Sequence, residues 1–139
     1  MQANFSIHEH YAITYNGRHI DLHNNFHFTG YSYTVAERKL ELYWIKGSGN
    51  WIAEDELPKL KITHTNVFFL NIGYNNLSYD YPDDDKCLGE ITFFPASERT
   101  VNNAIINQWE PNEGDDIIYI FETEHFIRIG CDKADLILG

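Results

Sequence analysis

The chain has 139 residues, 43% hydrophobic and 15% aromatic, with 21 acidic against 10 basic side chains and a formal charge of −11. That length suits one domain and can bury a core, and the apolar content excludes a disordered chain. The charge argues against nucleic acid and anionic membranes as partners, because both need neutralising lysine and arginine.

The start, MQANFSIHEHYAITYNG, has neither the basic nor the apolar stretch of a secretory leader, so a cytoplasmic location is expected. Ile7–Thr14 reads as the first extended segment. Asn16-Gly17 follows as a strong hairpin signal, since both residues tolerate positive φ. The pattern stays extended from Arg18 to Tyr33. Ile20, Leu22, Phe26 and Phe28 share one parity, while His19, Asp21, His23, Asn25 and His27 share the other. This predicts an apolar inner face and a polar outer one. Gly30 predicts a bend or a bulge.

Leu40–Ile45 is the next strand, reached through a turn over Val35–Lys39. Gly47-Ser48-Gly49-Asn50 is a loop, followed by the short piece Trp51-Ile52 and a surface connection over Glu54–Pro58. Lys59–Thr63 and Val67–Tyr74 are strands joined near His64–Asn66. Val67-Phe68-Phe69-Leu70 is apolar on both parities, which predicts a central strand covered on both sides.

Leu88–Phe94 is a strand ended by Pro95. Ser97 can cap a short helix near residues 98–108, with Val101, Ala104, Ile105 and Gln108 on one side. Asn102 and Asn103 weaken that helix and leave a loop as the alternative. Asp115-Asp116 reads as a solvated start to the strand Ile117–Phe121, which forms a hairpin with Phe126–Cys131 around Glu122–His125. Leu136–Leu138 is a last edge segment. Seven to nine short strands at near-regular spacing predict a mainly β fold over residues 1–139, an antiparallel β-sandwich or partly open barrel. A sheet with one helix packed across it is the second choice. No run approaches the ~18 apolar residues of a spanning helix.

Metal and catalytic patterns are weak. His19-Asp21-His23 could offer one cluster of donors on a strand face, completed from elsewhere. His27 lies about 26 Å from His19 in an extended chain and cannot join it without a bend. Neither Cys-x-x-Cys nor His-Glu-x-x-His occurs, so no metal ligand set and no cofactor is assigned. Cys87 and Cys131 are too few for a disulfide scaffold and read as reduced, largely buried thiols. Around Cys87 the aspartates oppose the thiolate, with Lys86 the one favourable charge. A Cys87–His125 nucleophile pair has nothing local to specify it. Glu90, Asp116 and Glu122 could face a cleft on neighbouring strands as carboxylates of a hydrolase-like enzyme. No phosphate loop, serine elbow or dinucleotide glycine pattern is present, so no catalytic residue is assigned.

The charge is unevenly spread. Residues 1–78 carry 7 acidic and 6 basic groups, hence −1, and residues 79–139 carry 14 and 4, hence −10. The change falls at Tyr79-Asp80-Tyr81-Pro82-Asp83-Asp84-Asp85-Lys86-Cys87. Asp80, Asp83, Asp84, Asp85 and Glu90 offer oxygens to a cation, but the EF-hand order of acids is absent. Tyr79, Asp80, Tyr81, Asp83, Asp84 and Asp85 are instead the candidate binding residues, a mixed acidic–aromatic patch suited to a basic protein. Trp51 and Trp109 are separate aromatic candidates near loops. The expected function is a non-catalytic protein-binding module, of which an immunity-type inhibitor of a basic partner is one form by analogy of size and charge. A hydrolase-like enzyme using carboxylates or a weakly bound divalent metal is one alternative. A structural or assembly module is the other.

Overall fold

The structure, a computed structural model, describes residues 1–73, 82–101 and 104–139, without the side chains of Pro82 and Asp83. Its twelve strands are β1 (Gln2–Ala3), β2 (Ser6–His8), β3 (Ala12–Tyr15), β4 (Arg18–Asp21), β5 (Phe26–Thr34), β6 (Lys39–Lys46), β7 (Lys59–Thr65), β8 (Phe69–Gly73), β9 (Leu88–Pro95), β10 (Asp115–Phe121), β11 (Phe126–Gly130) and β12 (Lys133–Leu138). A five-stranded sheet has the order β1-β12-β7-β6-β5, a four-stranded sheet β8-β11-β10-β9, and a three-stranded sheet β2-β3-β4. β1 pairs with β12 in parallel; the other pairings are antiparallel. The fold is mainly β and sandwich-like, with no sheet closed among the described residues.

The core lies between the two larger sheets and continues into the third. Trp44 on β6 meets Tyr119 on β10 at 6.0 Å between ring centroids, and Phe28 on β5 meets Phe121 at 4.6 Å. Each buried aromatic of this kind contributes roughly 2–3 kcal/mol of transfer free energy. Ile7, Ile13, Ile20 and Leu22 join the same cluster from the small sheet and its exit.

Several local readings hold. Ile20, Leu22, Phe26 and Phe28 are all buried, as their shared parity requires. Asn16 and Gly17 take φ of 49° and 77° and close the β3–β4 hairpin in register Tyr15↔Arg18. The register of β5 against β6 shifts between Phe28 and Gly30, so a bulge falls where Gly30 announced it.

Other readings are corrected. Ile7–Thr14 is not one strand: Glu9 and His10 take φ of 55° and 63° and fold it into the β2–β3 hairpin. The stretch Arg18–Tyr33 is also broken. The Asp21 carboxylate accepts the Asn24 amide at 2.8 Å and the Asp21 carbonyl accepts the Asn25 amide at 3.1 Å, ending β4 in a turn. The segment Val67–Leu70 is not a central strand. β8 begins at Phe69 and lies at a sheet edge, and Phe68 is exposed. The true doubly covered strands are β10 and β11.

The helix expected near residues 98–108 does not form among the described residues. A single 3-10 turn, Ala96–Glu98, is followed by irregular chain. This strap reaches the back of the four-stranded sheet, where the Thr92 hydroxyl accepts the Ile106 amide at 3.3 Å. Arg128 of β11 anchors it. The guanidinium is wholly buried and donates to the carbonyls of Pro95 (3.0 Å), Glu98 (3.3 Å) and Val101, and to Asp116 (2.9 Å). Irregular chain against a sheet leaves carbonyls without ladder partners, and one arginine supplies them with donors. Asp116 is therefore not solvated, as the sequence suggested, but wholly buried between Arg128 and Arg99. No helix among the described residues is long and apolar enough to cross a membrane.

Candidate functional site: an acidic rim around Cys87

The acidic stretch becomes a 3-10 turn, Pro82–Lys86, leading directly into β9. Proline suits such a start, since it lacks the amide that a first turn would leave unbonded. The Asp84 carbonyl accepts the Cys87 amide at 3.1 Å and closes the turn. Two bonds then stitch the turn to the β10–β11 hairpin. The Thr123 hydroxyl donates to Asp85 Oδ1 at 2.6 Å, and the Glu122 amide donates to the Cys87 carbonyl at 2.9 Å. At the hairpin tip, the Phe121 carbonyl accepts the Glu124 amide and Glu124 takes φ of 66°. This is a tight turn followed by a left-handed residue, a position that favours glycine.

The result gathers acids from three separate segments. Asp21 ends β4, Asp84 and Asp85 sit on the 3-10 turn, and Glu122 and Glu124 occupy the hairpin tip. Asp85, Glu122 and Glu124 are exposed, and Asp21 and Asp84 are half-buried. Cys87 lies beside Asp21, Asp84 and Glu122, half-buried. Burial, and then Glu122, Asp84 and Asp21, push its thiol up to about 11. Its sulfur faces His23 rather than the His125 considered from the sequence: Sγ is 3.4 Å from His23 Nδ1. The same nitrogen is 2.7 Å from the Leu88 carbonyl and 3.7 Å from Glu122 Oε1. Gly89 leaves room for that carboxylate, since a Cβ there would lie 3.1 Å from Oε1.

His125 belongs to a second chain of contacts. Its Nδ1 is 2.9 Å from the Thr123 hydroxyl and 3.6 Å from Asp85, and its ring stacks on Phe121 at 4.2 Å. Burial pushes the His125 imidazolium down, against the opposite pull of Asp85. The threonine stands between acid and imidazole, so the order is wrong for a nucleophile activated by a histidine that the acid orients. The chain of contacts fixes the turn against the hairpin.

A cleft of about 420 Å³ runs beside this rim, with His27, Tyr31, Ile45, Asp85, Lys86 and His125 among its lining. Tyr31 is 47% exposed. It reaches the core-facing parity only because the bulge before Gly30 shifts the register, a displacement that strict alternation from Phe26 and Phe28 does not foresee.

Of the residues singled out from the sequence, Asp84 and Asp85 lie in the rim. Tyr79, Asp80 and Tyr81 lie outside the described residues, as does the Asp83 side chain. The proposed His19-Asp21-His23 cluster does not assemble. His19 packs against His8 and Tyr11, Asp21 holds the turn at Asn24, and His23 turns to Cys87. Among the hydrolase carboxylates, Asp116 is held in the buried ion group with Arg99 and Arg128, and Glu122 belongs to the rim. Trp51 and Trp109 are exposed, at 69% and 53%, the latter against the His8 ring. Sequence reasoning missed the partnership of His23 with Cys87, which are 64 positions apart with no local pattern joining them. No protein-family model matches this chain, and no curated protein and no solved structure matches it either.

Proposed function

We propose that this chain is a non-catalytic binding module of the cytoplasm that docks a basic protein through the acidic rim. The supporting observation is the convergence of Asp21, Asp84 and Glu122, from three chain segments, around one half-buried thiol, with Asp85 and Glu124 exposed on the same turn and hairpin. Tyr31 beside the cleft supplies an aromatic anchor of the kind such surfaces use. Tyr79, Asp80, Tyr81 and Asp83 adjoin Asp84 in the sequence and add acidic and aromatic side chains to the binding residues expected from it. Glu124 adds weight, because a glutamate occupies a backbone position that glycine fills at lower cost. An inhibitor of immunity type, covering a basic active site, is the form of this function that the charge favours. A nucleophilic enzyme fits less well: the thiol is held protonated, and Asp116 is neutralised by two arginines.

The test is capture from native extract on the immobilised chain at ~0.05 M and ~0.5 M salt, since rim charges are screened over a Debye length. The retained protein is then purified and re-measured as a defined pair. The expected result is a basic protein whose affinity falls at least tenfold with salt and with the combined Asp84→Lys, Asp85→Lys and Glu124→Lys variant. Retention of nothing at low salt, or an unchanged affinity of the triple variant, removes the reading.

A further inference from the structure

We propose that His23, Cys87 and Glu122 form a zinc-binding site at the centre of the rim. The three residues come from the turn after β4, the residue before β9 and the β10–β11 hairpin, and their ligand atoms all lie within 4.8 Å of one another. Two of the three donor spacings are close to those of a tetrahedral ion. From ordinary zinc bond lengths, sulfur and nitrogen ligands stand about 3.6 Å apart, and nitrogen and oxygen about 3.3 Å apart. Here Cys87 Sγ to His23 Nδ1 is 3.4 Å, and His23 Nδ1 to Glu122 Oε1 is 3.7 Å. Glu122 has a half-exposed side chain free to close the last few tenths of an ångström, over a glycine that leaves it room.

The arrangement separates this reading from a proton relay. In a nucleophile–histidine–acid relay, the thiol and the carboxylate address opposite ring nitrogens. In this site both approach the same nitrogen, Nδ1, which in the metal-free protein is bonded to the Leu88 carbonyl at 2.7 Å and must leave that carbonyl to ligate. Convergence on a common point is what a coordinated ion requires. The donor set of one thiolate, one imidazole and one carboxylate suits zinc, whereas calcium and magnesium take oxygen alone.

Binding has a definite proton balance. The Leu88 carbonyl can only accept, so His23 Nδ1 carries the ring proton in the metal-free protein. On binding, Nδ1 gives up its bond to the Leu88 carbonyl, its proton is exchanged through solvent for one on Nε2 so that the ring stays neutral, and the Cys87 thiol releases one proton to solvent. Thiolate and Glu122 carboxylate then balance the two charges of the ion, and a water takes the fourth position. Asp21 and Asp84 sit close enough to Cys87 to add attraction for the cation. The site does not depend on the docking reading, which stands or falls by its own charge variants.

The test uses the full chain, stripped with chelator and titrated with Co²⁺ and then Zn²⁺. One equivalent of Co²⁺ is expected to give a sulfur-to-metal charge-transfer band with tetrahedral visible absorption, lost on adding one equivalent of Zn²⁺. Zinc binding in weak buffer is expected to release about one proton per ion. Cys87→Ser is expected to abolish the charge-transfer band. Glu122→Gln, at an exposed position, is expected to weaken zinc at least tenfold while leaving the circular dichroism unchanged. Millimolar Ca²⁺ or Mg²⁺ is expected not to displace zinc. No saturable binding, or an octahedral cobalt spectrum without the sulfur band, overturns the site. So does zinc affinity unchanged in Glu122→Gln, which holds even if Cys87→Ser fails to fold.

Discussion

The ring of His64 on β7 stands 2.9 Å from the hydroxyl of Tyr119 on β10, a polar bond that crosses between the two large sheets. His64 Nδ1 donates to the Leu40 carbonyl at 3.0 Å, so Nε2 must accept from the tyrosine hydroxyl, and both groups are wholly buried. Burial holds the imidazolium down to about 4, although the Leu40 carbonyl pulls the other way. The ordinary value, carried by the unfolded chain, is 6.5. Below 6.5 the unfolded chain therefore takes a proton that the native protein refuses until about pH 4. Stability is lost as pH falls through that window, by about 3 kcal/mol in total. Urea unfolding at a series of pH values checks this. The His64→Leu/Tyr119→Phe double variant, which removes both partners together, is expected to lack this part of the slope.

Arg128 gives the largest predicted loss. Arg128→Met leaves Asp116 with Arg99 alone and strips donors from the carbonyls of Pro95, Glu98 and Val101. Removing one member of a buried ion group in this way costs about 3–5 kcal/mol. Lysine in its place carries the charge but lacks the fork that reaches several acceptors, so Arg128→Lys is expected to recover little. Urea midpoints measure both. Hydrogen exchange in 95–101 is expected to rise in the methionine variant before any other segment.

Glu124→Gly should act in the opposite direction. It relieves a left-handed glutamate, worth about 1–2 kcal/mol, and returns part of that through the freer unfolded chain and the side-chain interaction it gives up. A net gain of about 0.5 kcal/mol is expected, readable as a raised urea midpoint. The same variant removes a rim charge, so partner affinity should fall as stability rises. A parallel rise in both would detach Glu124 from the docking surface.

The thiols give a chemical check. Cys87 is pushed up to about 11, and Cys131, by burial first, to about 12. Near pH 8 the Cys87 thiolate is therefore about a hundredfold scarcer than that of an ordinary exposed cysteine. An aromatic disulfide reagent should modify Cys87 slowly and leave Cys131 untouched until denaturant is added. Rapid native-state reaction of either thiol contradicts the burial described.

The sequence by itself determined whatever depends on near neighbours. Alternation buried Ile20, Leu22, Phe26 and Phe28, Asn16-Gly17 closed a hairpin because both tolerate positive φ, and counting charges located the acidic half. Period 2 and turn chemistry are short-range, so a short window carries them. The tertiary structure decided which distant groups meet. Strand pairing brings His23 to Cys87 across 64 positions, and the bulge before Gly30 turns Tyr31 toward the cleft. It also buried Asp116, which read locally as a solvated strand start, together with Arg128, and replaced an expected helix with a strap held by that arginine. A buried charge is tolerable only beside its partner, and the identity of that partner is a property of sheet order and register rather than of any local stretch.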